Sequence, residues 1–323
     1  TYIEIVARFL SEMRARAEKQ TGKRFTRALS GRPVHFHNDP MRDAQALVDL
    51  TECYRAAGFD DVSFMNEPEA AARAQAHVLQ PGDLGLVIDI GGGTSDFTLF
   101  RTQTGGAIDI VKSAGLRLGG TDFDRLLSFE HVMPLMGRGS QIRHAFGKET
   151  HLAPNGIFAD LATWQKIPFL YAPDTRRAAK DLLQYAVEPD KLARLNRVLK
   201  DERGHDLAFA VEAAKIELNT KPLASVDIKL DALEKNFDAP LYALALGHTL
   251  HPCAIQIADM ASNCAAQAGF KNDDVTHLIF VGGSSLMQVV QSAVTNAFPK
   301  AKPHHGAALT GIIEGLALAT GDA

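Results

Sequence analysis

The fold of this chain is decided by the stretch VIDIGGGTSD at residues 87–96. It completes an almost unbroken apolar run that starts at Leu84, and such a run is typical of a strand buried on both faces of a sheet. Three consecutive glycines then permit a tight turn. Residues 97–101 and 108–113 predict two further strands, so the segment forms a three-stranded meander with short connections.

The polar residues of this stretch indicate a phosphate site. A carboxylate in an apolar strand is costly to bury without a partner, so Asp89 either caps the turn or faces a magnesium ion. The glycines that follow it are Gly91, Gly92 and Gly93. Without side chains, they can bring backbone N–H groups against an anion, and Thr94 and Asp96 add a hydroxyl group and a second carboxylate. No Gly-Lys-Ser/Thr follows and the next element is a strand, which excludes a Walker loop.

The surrounding sequence alternates helices and strands, which predicts an α/β fold. Upstream, the patterns predict helices at 3–20 and 44–57, strands at 27–36 and 62–65, and an alanine-rich helix from Pro68 to Leu79. Downstream, residues 130–235 are mostly helical, and two helices broken at Pro252 follow. The chain then predicts a strand at 275–281, a tight turn at 282–285, and helices at 286–297 and 307–320.

Two further patterns could bind a ligand, although each is weak by itself. The turn Gly282-Gly283-Ser284 lies between a strand and a helix, where glycines admit a ligand and the helix N-terminus favours negative charge. On a separate helix, Glu212, Lys215 and Asn219 are spaced three and four residues apart and share one face. These three residues either contact a ligand or form an exposed ion pair with a bystander.

Composition restricts the partners of the chain. The 323 residues are 46% hydrophobic and 22% charged with a net charge of −4, which argues against a broad basic face for nucleic acid. No uninterrupted apolar run is long enough for a membrane span. Three cysteines are too few and too scattered for a disulfide framework or a zinc site, so we expect a reducing cytoplasm.

Four motifs, taken in order, resemble a known family. They are NEPEAAA at 66–72, VIDIGGGTSD at 87–96, LGGTDFD at 118–124 and IFVGGSS at 279–285. Together they are similar to the ATPase domain of the seventy-kilodalton heat-shock chaperones, the DnaK family, within the actin and sugar-kinase superfamily. The segments GRPVHF at 31–36 and DLATW at 160–164 resemble the shortened YegD-type members. The resemblance implies two lobes, each built on a ribonuclease H-like sheet, with ATP in the cleft between them.

The resemblance also implies a domain layout. Residues 1–83 would be part of the first lobe, and residues 84–125 and 236–305 the base of the second lobe. Residues 126–235 would form a mostly helical upper subdomain, and residues 306–323 a helix that crosses back to the first lobe. The family's first meander, its Asp-x-Gly-Thr phosphate loop and a phosphate-contacting lysine have no counterpart, so the first lobe is expected to be incomplete at its N-terminus. The resemblance also implies that the chain stops before the family's peptide-binding domain. The sequence leaves open whether the chain is a fragment of a longer protein and whether it hydrolyses ATP alone.

The family's functional residues carry over to individual positions. Asp89, Thr94 and Asp96 would lie at the magnesium and γ-phosphate region, with Asp89 holding magnesium through water. Glu67, at a helix start where the helix dipole stabilises a carboxylate, would orient the attacking water. The remaining expected nucleotide ligands are Gly91, Gly92, Gly93, Gly119, Gly120, Glu212, Lys215, Asn219, Gly282, Gly283 and Ser284.

The sequence departs from the family's adenosine-binding residues at three positions. Ile216 and Leu286 replace two arginines that sandwich adenine, and Asn219 replaces a serine. We expect the loss of two stacking guanidinium groups to weaken nucleotide affinity by about 2 kcal/mol.

The resulting functional expectation is an ATP-binding, ATP-hydrolysing chaperone domain of the stress response, with ATP, ADP and magnesium as ligands. Unfolded-protein clients and co-chaperones would be partners, but no residue identifies them. An MreB-type actin-like filament is the alternative, since those proteins share the Glu-Pro-x-Ala-Ala-Ala helix and the glycine hairpin. The long insert after Asp124 and the Gly-Gly-Ser-Ser form of the turn disfavour it. A sugar kinase would need a sugar pocket, for which no motif is visible.

Overall fold

The computed structural model describes residues 1–37, 39–104, 107–144, 149–305 and 309–321. It confirms the α/β class. The strands are β1 (Arg27–Arg32), β2 (Asp61–Asn66), β3 (Leu84–Ile90), β4 (Ser95–Thr102), β5 (Ile108–Leu116), β6 (Gln141–Arg143), β7 (Thr150–Leu152), β8 (Ser225–Lys229), β9 (Asp238–Tyr242), β10 (His277–Val281) and β11 (Lys302–His304). The helices are α1 (Tyr2–Thr21), α2 (Pro40–Ala56), α3 (Glu67–Ala74), α4 (Gly120–Leu127), α5 (Asn155–Ala162), α6 (Pro173–Gln184), α7 (Pro189–Lys200), α8 (Gly204–Thr220), α9 (Ala243–Gln267), α10 (Gln288–Ala297) and α11 (Gly311–Gly321).

The central feature is a five-stranded sheet of order β11-β10-β3-β4-β5. The meander expected from the glycine stretch is confirmed, because β3, β4 and β5 are antiparallel neighbours. Strand β10 lies parallel to β3 on its other side, with Val281 opposite Asp89. Both faces of β3 are covered, since Leu86 and Ile88 belong to the main core while Val87 packs in a second cluster with Ala71 and Ala72 of α3. The run of apolar residues in β3 is therefore explained by burial on both faces of the sheet, as the sequence predicted.

The N-terminal elements form a small parallel unit. Strands β1 and β2 pair in parallel, and α1 packs against α2. Helix α1 begins with a capping box between Thr1 and Glu4 and ends at Gly22, which adopts the left-handed conformation with φ 67°. Helix α3 is shorter than expected, because turns after Ala74 carry Leu79 into the core.

The expected break at Pro252 is wrong. Helix α9 runs without interruption from Ala243 to Gln267 and contains Pro252. The proline itself is exposed, while Leu250, Cys253 and Ala254 around it are buried in the main core. Packing of this continuous apolar face holds the helix together, although the proline removes one backbone hydrogen bond.

Residues 126–235 are mainly helical but also contain strands that the sequence did not predict. The hairpin β6–β7 and the first strand of the hairpin β8–β9 lie in this range, and β9 follows it. Burial alternates along β8 and β9, so one face of this hairpin packs on the core and the other meets solvent.

The C-terminal helix α11 packs against α3 and β1 near the beginning of the chain. The contact with α3 is close, since a side chain on Gly315 would overlap the backbone carbonyl of Ala70. The expected helix started at residue 307, which lies outside the described residues. In the described part of the chain, no helix combines the length and the hydropathy needed to span a membrane. The three cysteines are free and buried.

Candidate functional site

The glycine hairpin between β3 and β4 contacts the start of α4 directly. A hydrogen bond from the Gly91 N–H to the Thr94 carbonyl closes the hairpin at 2.9 Å. The N–H groups of Gly120 and Thr121 then donate to the carbonyls of Gly91 and Gly92, at 2.9 and 2.8 Å. The first turn of α4 is therefore bonded to the hairpin, which orients the hairpin relative to the helix.

A third glycine motif meets these two. A Cβ atom on Gly119 would stand 2.6 Å from the backbone nitrogen of Gly93, and one on Gly120 would run into the hydroxyl of Ser284. At Gly119, glycine leaves room for the two backbones to approach each other, and at Gly120 it leaves room for the Ser284 side chain. The motifs at 91–94, 119–120 and 282–284 are thus in contact, although they are distant in the sequence.

Residues of the glycine motifs and of α8 line one pocket. Of the expected ligands it contains Gly91, Gly92, Glu212, Lys215, Asn219, Gly283 and Ser284. Sequence reasoning missed Thr220 and Met287, while Ile216 and Leu286 line it as apolar residues at positions where the family has arginine. We call this the glycine pocket. Its lining shows that α8 and the turn after β10 face each other across the hairpin.

The backbone of the hairpin is free to bind an anion. Gly92, Gly93 and Thr94 are exposed, and among the described residues their N–H groups have no hydrogen-bond partner. The Thr94 hydroxyl donates to Asp96 at 3.3 Å. Three adjacent unpaired N–H groups form the kind of concave donor set that binds phosphate.

A second pocket holds three carboxylates and adjoins the hairpin. Glu67 comes from the first residue of α3, Asp89 from the end of β3 and Asp96 from the start of β4. We call it the carboxylate pocket. Asp89 and Asp96 are direct neighbours in the β3–β4 register, while Glu67 lines the pocket from the start of α3.

Burial raises the pKa values of all three carboxyl groups. Burial and the nearby charges of Glu67 and Asp96 raise the pKa of Asp89 to about 6. Burial raises the pKa of Glu67, and the charge of Asp96 adds to the effect. For Asp96, burial raises the pKa and the Thr94 hydroxyl partly offsets it. Burial and the charge of Asp96 therefore act on the Glu67 carboxylate in the direction opposite to the helix dipole.

Two of the three expected α8 ligands are already bonded within the protein. The ammonium of Lys215 is buried and forms an ion pair with Asp124 at 2.7 Å. The Asn219 side chain donates to the Leu286 carbonyl and accepts from the Gln288 N–H, both at 2.9 Å. Glu212 is exposed and forms no ion pair with any described residue.

Asp124 is the residue that sequence reasoning missed here. It is the second acid of the LGGTDFD motif, and only its motif position could have signalled a role. Burial raises the pKa of Asp124. The charge of Glu212 adds to this increase, while the ammonium of Lys215 lowers the pKa of Asp124.

The carboxylate pocket fits a hydrated magnesium ion. Within the described ranges, no group of three or more His, Cys, Asp or Glu side chains is arranged to hold a metal directly. Carboxylates that face one space, at raised pKa and with no ion pair to any described residue, are suited to a divalent cation that keeps its water ligands. Of the three carboxyl groups, Asp89 has the large pKa shift, to about 6.

Comparison with known proteins supports the family resemblance. Residues 1–148 match the family model described as Hsp70 protein. A chaperone protein HscA homolog of Burkholderia pseudomallei (strain 668) is 28% identical over 306 residues, which cover 92% of this chain and 37% of the relative. The HscA homolog of Burkholderia mallei (strain SAVP1) gives the same identity and coverage. The chain thus spans a little over a third of the length of the curated relatives that it matches.

Proposed function

Since the chain belongs to the Hsp70 family, we propose that it binds ATP and ADP with magnesium across the glycine pocket and the carboxylate pocket, and that ATP is hydrolysed there in the active form of the protein. The observation that carries this proposal is that the glycine hairpin, the turn after β10 and α8 line one pocket, while the third glycine motif is bonded to the hairpin. Each motif is common by itself, but their convergence supplies a phosphate-binding backbone beside a helix that can contact a nucleoside.

The phosphates would bind at the hairpin. Gly92, Gly93 and Thr94 are exposed, and their N–H groups, which have no partner among the described residues, can donate to phosphate oxygens. The N–H groups of Gly120 and Thr121 have a different task, because they are bonded to the hairpin carbonyls. They fix the hairpin in position, so that it can receive the anion without rearranging.

The nucleoside would lie between α8 and the turn after β10. Glu212 can accept hydrogen bonds from ribose hydroxyls, since its carboxylate is exposed and unpaired among the described residues. Ile216 and Leu286 offer apolar contact to the base. Without cationic stacking partners, the affinity would be roughly thirtyfold lower than with two such partners.

Hydrolysis needs positioning and charge neutralisation more than covalent chemistry. Magnesium, when bound, would neutralise charge that develops on the phosphates. Asp89 would hold it through water, and Glu67 would accept a hydrogen bond from the attacking water and orient it. Thr94 and Asp96 would complete the γ-phosphate region from the start of β4.

Nucleotide titration of this chain tests the proposal. Calorimetry with ADP and magnesium should show saturable binding in the micromolar range or weaker. The variant Glu212→Ala should weaken binding, because it removes the ribose acceptor. Glu217→Ala is the matched control, since Glu217 lies on the same helix but pairs with Lys221 outside the glycine pocket. Equal affinities of the two variants would contradict the assignment of Glu212, and no binding at all would refute the proposed function.

The wider role remains a proposal at the level of the family. Relatives named as chaperones suggest polypeptide clients and co-chaperones as partners. A cytoplasmic location, a part in the stress response and the closer likeness to YegD-type proteins stay predictions from the sequence.

A further inference from the structure

We infer that the glycine pocket does not discriminate between purine bases, so that guanine and adenine nucleotides bind this chain with similar affinity. The inference rests on the proposed function, because it concerns the specificity of the same site. It follows from the side chains at the base end of the pocket and from the hydrogen bonds that those side chains already make.

The walls at the base end are apolar. Ile216 projects from α8 with half of its surface exposed, and Leu286 and Met287 face it from the turn after β10. A wall of this kind contacts the flat faces of a base. It cannot distinguish purines by their edges, because adenine and guanine differ in the polar groups at ring positions 2 and 6 rather than in their faces.

Among the described residues, the polar side chains that line this end already make hydrogen bonds within the protein. The Asn219 amide accepts from the Gln288 N–H and donates to the Leu286 carbonyl, and these two bonds fix its orientation. The Thr220 hydroxyl donates to the Ile216 carbonyl at 2.8 Å, so its hydrogen is committed to the helix backbone. Turning the Asn219 side chain toward a base edge would break its bonds to the turn after β10. Turning the Thr220 side chain would break its bond within α8.

The remaining polar groups of the pocket lie nearer the glycine hairpin. Glu212 is one turn before Ile216 on α8 and also borders a neighbouring cavity with Thr121, whose N–H bonds to the hairpin. Ser284 touches Gly120 at the other side. Lys215 is held by Asp124. These groups are placed to contact ribose and phosphates, which all nucleotides share.

The expected difference between the GDP and ADP affinities follows from how binding sites discriminate between related ligands. A site that hydrogen-bonds a distinguishing group rejects the analogue that lacks it by several orders of magnitude, whereas an apolar pocket discriminates only weakly. We therefore expect the dissociation constants of GDP and ADP to agree within about threefold.

Calorimetric titration of the chain with ADP, GDP and IDP, each with magnesium, tests the inference. Similar dissociation constants support it, and a preference for ADP over GDP of about tenfold or more overturns it while the proposed function stands. Absence of binding by every nucleotide would overturn the proposed function and this inference with it.

A variant separates base contact from phosphate contact. Ile216→Ala should weaken ADP and GDP by the same factor and leave the affinity for inorganic pyrophosphate unchanged. The control is Leu223→Ala, a partly exposed leucine just beyond α8 that does not line the pocket. If Ile216→Ala changes the ratio of the ADP and GDP affinities, the base is read at this position and the inference is wrong.

Discussion

The Oδ1 atom of Asp89 lies 2.8 Å from the point that a Cβ atom on Gly282 would occupy. The two residues come from adjacent parallel strands, β3 and β10, and each stands where its strand ends or has just ended. The acid proposed to hold magnesium through water and the turn proposed to face the nucleoside are therefore packed against each other, with no space for a side chain between them.

Replacement of Gly282 should disturb both folding and the site. Its φ of +81° is unfavourable for other residues, and a Cβ there would also overlap the Ile90 carbonyl. We expect Gly282→Ala to lower the free energy of unfolding by about 2 kcal/mol, measured by urea denaturation. Gly92→Ala is the matched control, since no atom lies within 4 Å of its Cβ position, and its stability should stay close to that of the parent. Equal stabilities of the two variants would show that the close approach at Gly282 is not rigid.

The raised pKa of Asp89 predicts a pH-dependent cost of keeping this site ionised. The folded-state value of about 6 exceeds the ordinary value of 3.8, so the folded protein binds the proton more tightly than the unfolded chain. The stability from this proton is fully present below pH 3.8 and is lost as the pH rises through 6. At neutral pH, without magnesium or nucleotide, the charged carboxylate thus lowers the free energy of unfolding by at most about 3 kcal/mol.

Asp89→Asn tests this sign directly. In the presence of a chelator, the variant should be more stable than the parent above pH 6, and the difference should vanish near pH 4, because Asn keeps the shape without the charge. Thermal unfolding across this range measures it, with the exposed Asp259 of α9 replaced by Asn as a control. A stability difference of the same size at pH 4 and pH 8 would contradict the assignment.

Local patterns predicted the centre of the fold but not its distant pairings. The apolar run of β3 and the glycine turn after it determine the meander, because each strand follows its neighbour at once. The sequence did not predict the short strand β11, because three residues that include a proline show no strand pattern. The strand is defined by its parallel pairing with β10, which lies more than twenty residues earlier in the chain. Pro252 misled the prediction for the opposite reason, because tertiary packing of α9 outweighs a local helix-breaking tendency.

The site shows the same division. Motif order selected residues that the fold brings together around the glycine pocket. Their bonding states could not be predicted, because each depends on a partner far away in the sequence. From the sequence, Lys215 could be a ligand with a free ammonium, but the structure pairs it with Asp124. Asn219 could likewise have a free amide, but its side chain is bonded to residues 286 and 288.

The ion pair between Lys215 and Asp124 should stabilise the fold in a way that exposed pairs do not. Removing the buried ammonium leaves a largely buried carboxylate without its partner, so Lys215→Met should cost about 3 kcal/mol of unfolding free energy. Lys229→Met breaks an exposed pair with Asp238 and should leave stability nearly unchanged. Urea denaturation of both variants checks the contrast. A double variant, Lys215→Met with Asp124→Leu, should recover part of the loss, and no recovery would argue against a role of the uncompensated charge.

Glu67 and Asp89 should divide the work of ATP hydrolysis in whichever form of the protein turns ATP over. Orienting the attacking water acts in the transition state, so Glu67→Gln should slow turnover by about a hundredfold and leave nucleotide affinity nearly intact. The structure adds a reason for intact binding, since the charge of Glu67 raises the pKa of Asp89, and its removal leaves Asp89 more readily ionised. Asp89→Asn should instead weaken both magnesium-dependent nucleotide binding and turnover.

Single-turnover rates and ATP dissociation constants for both variants, with magnesium titrated, distinguish these roles. Glu69→Gln serves as the control, because Glu69 lies in the first turn of α3 with Glu67 but does not border the carboxylate pocket. Its rate and affinity should match those of the parent. If Glu67→Gln loses binding as severely as Asp89→Asn, Glu67 holds the ground-state complex rather than the water, and if neither variant slows hydrolysis, the carboxylate pocket is not where the γ-phosphate reacts.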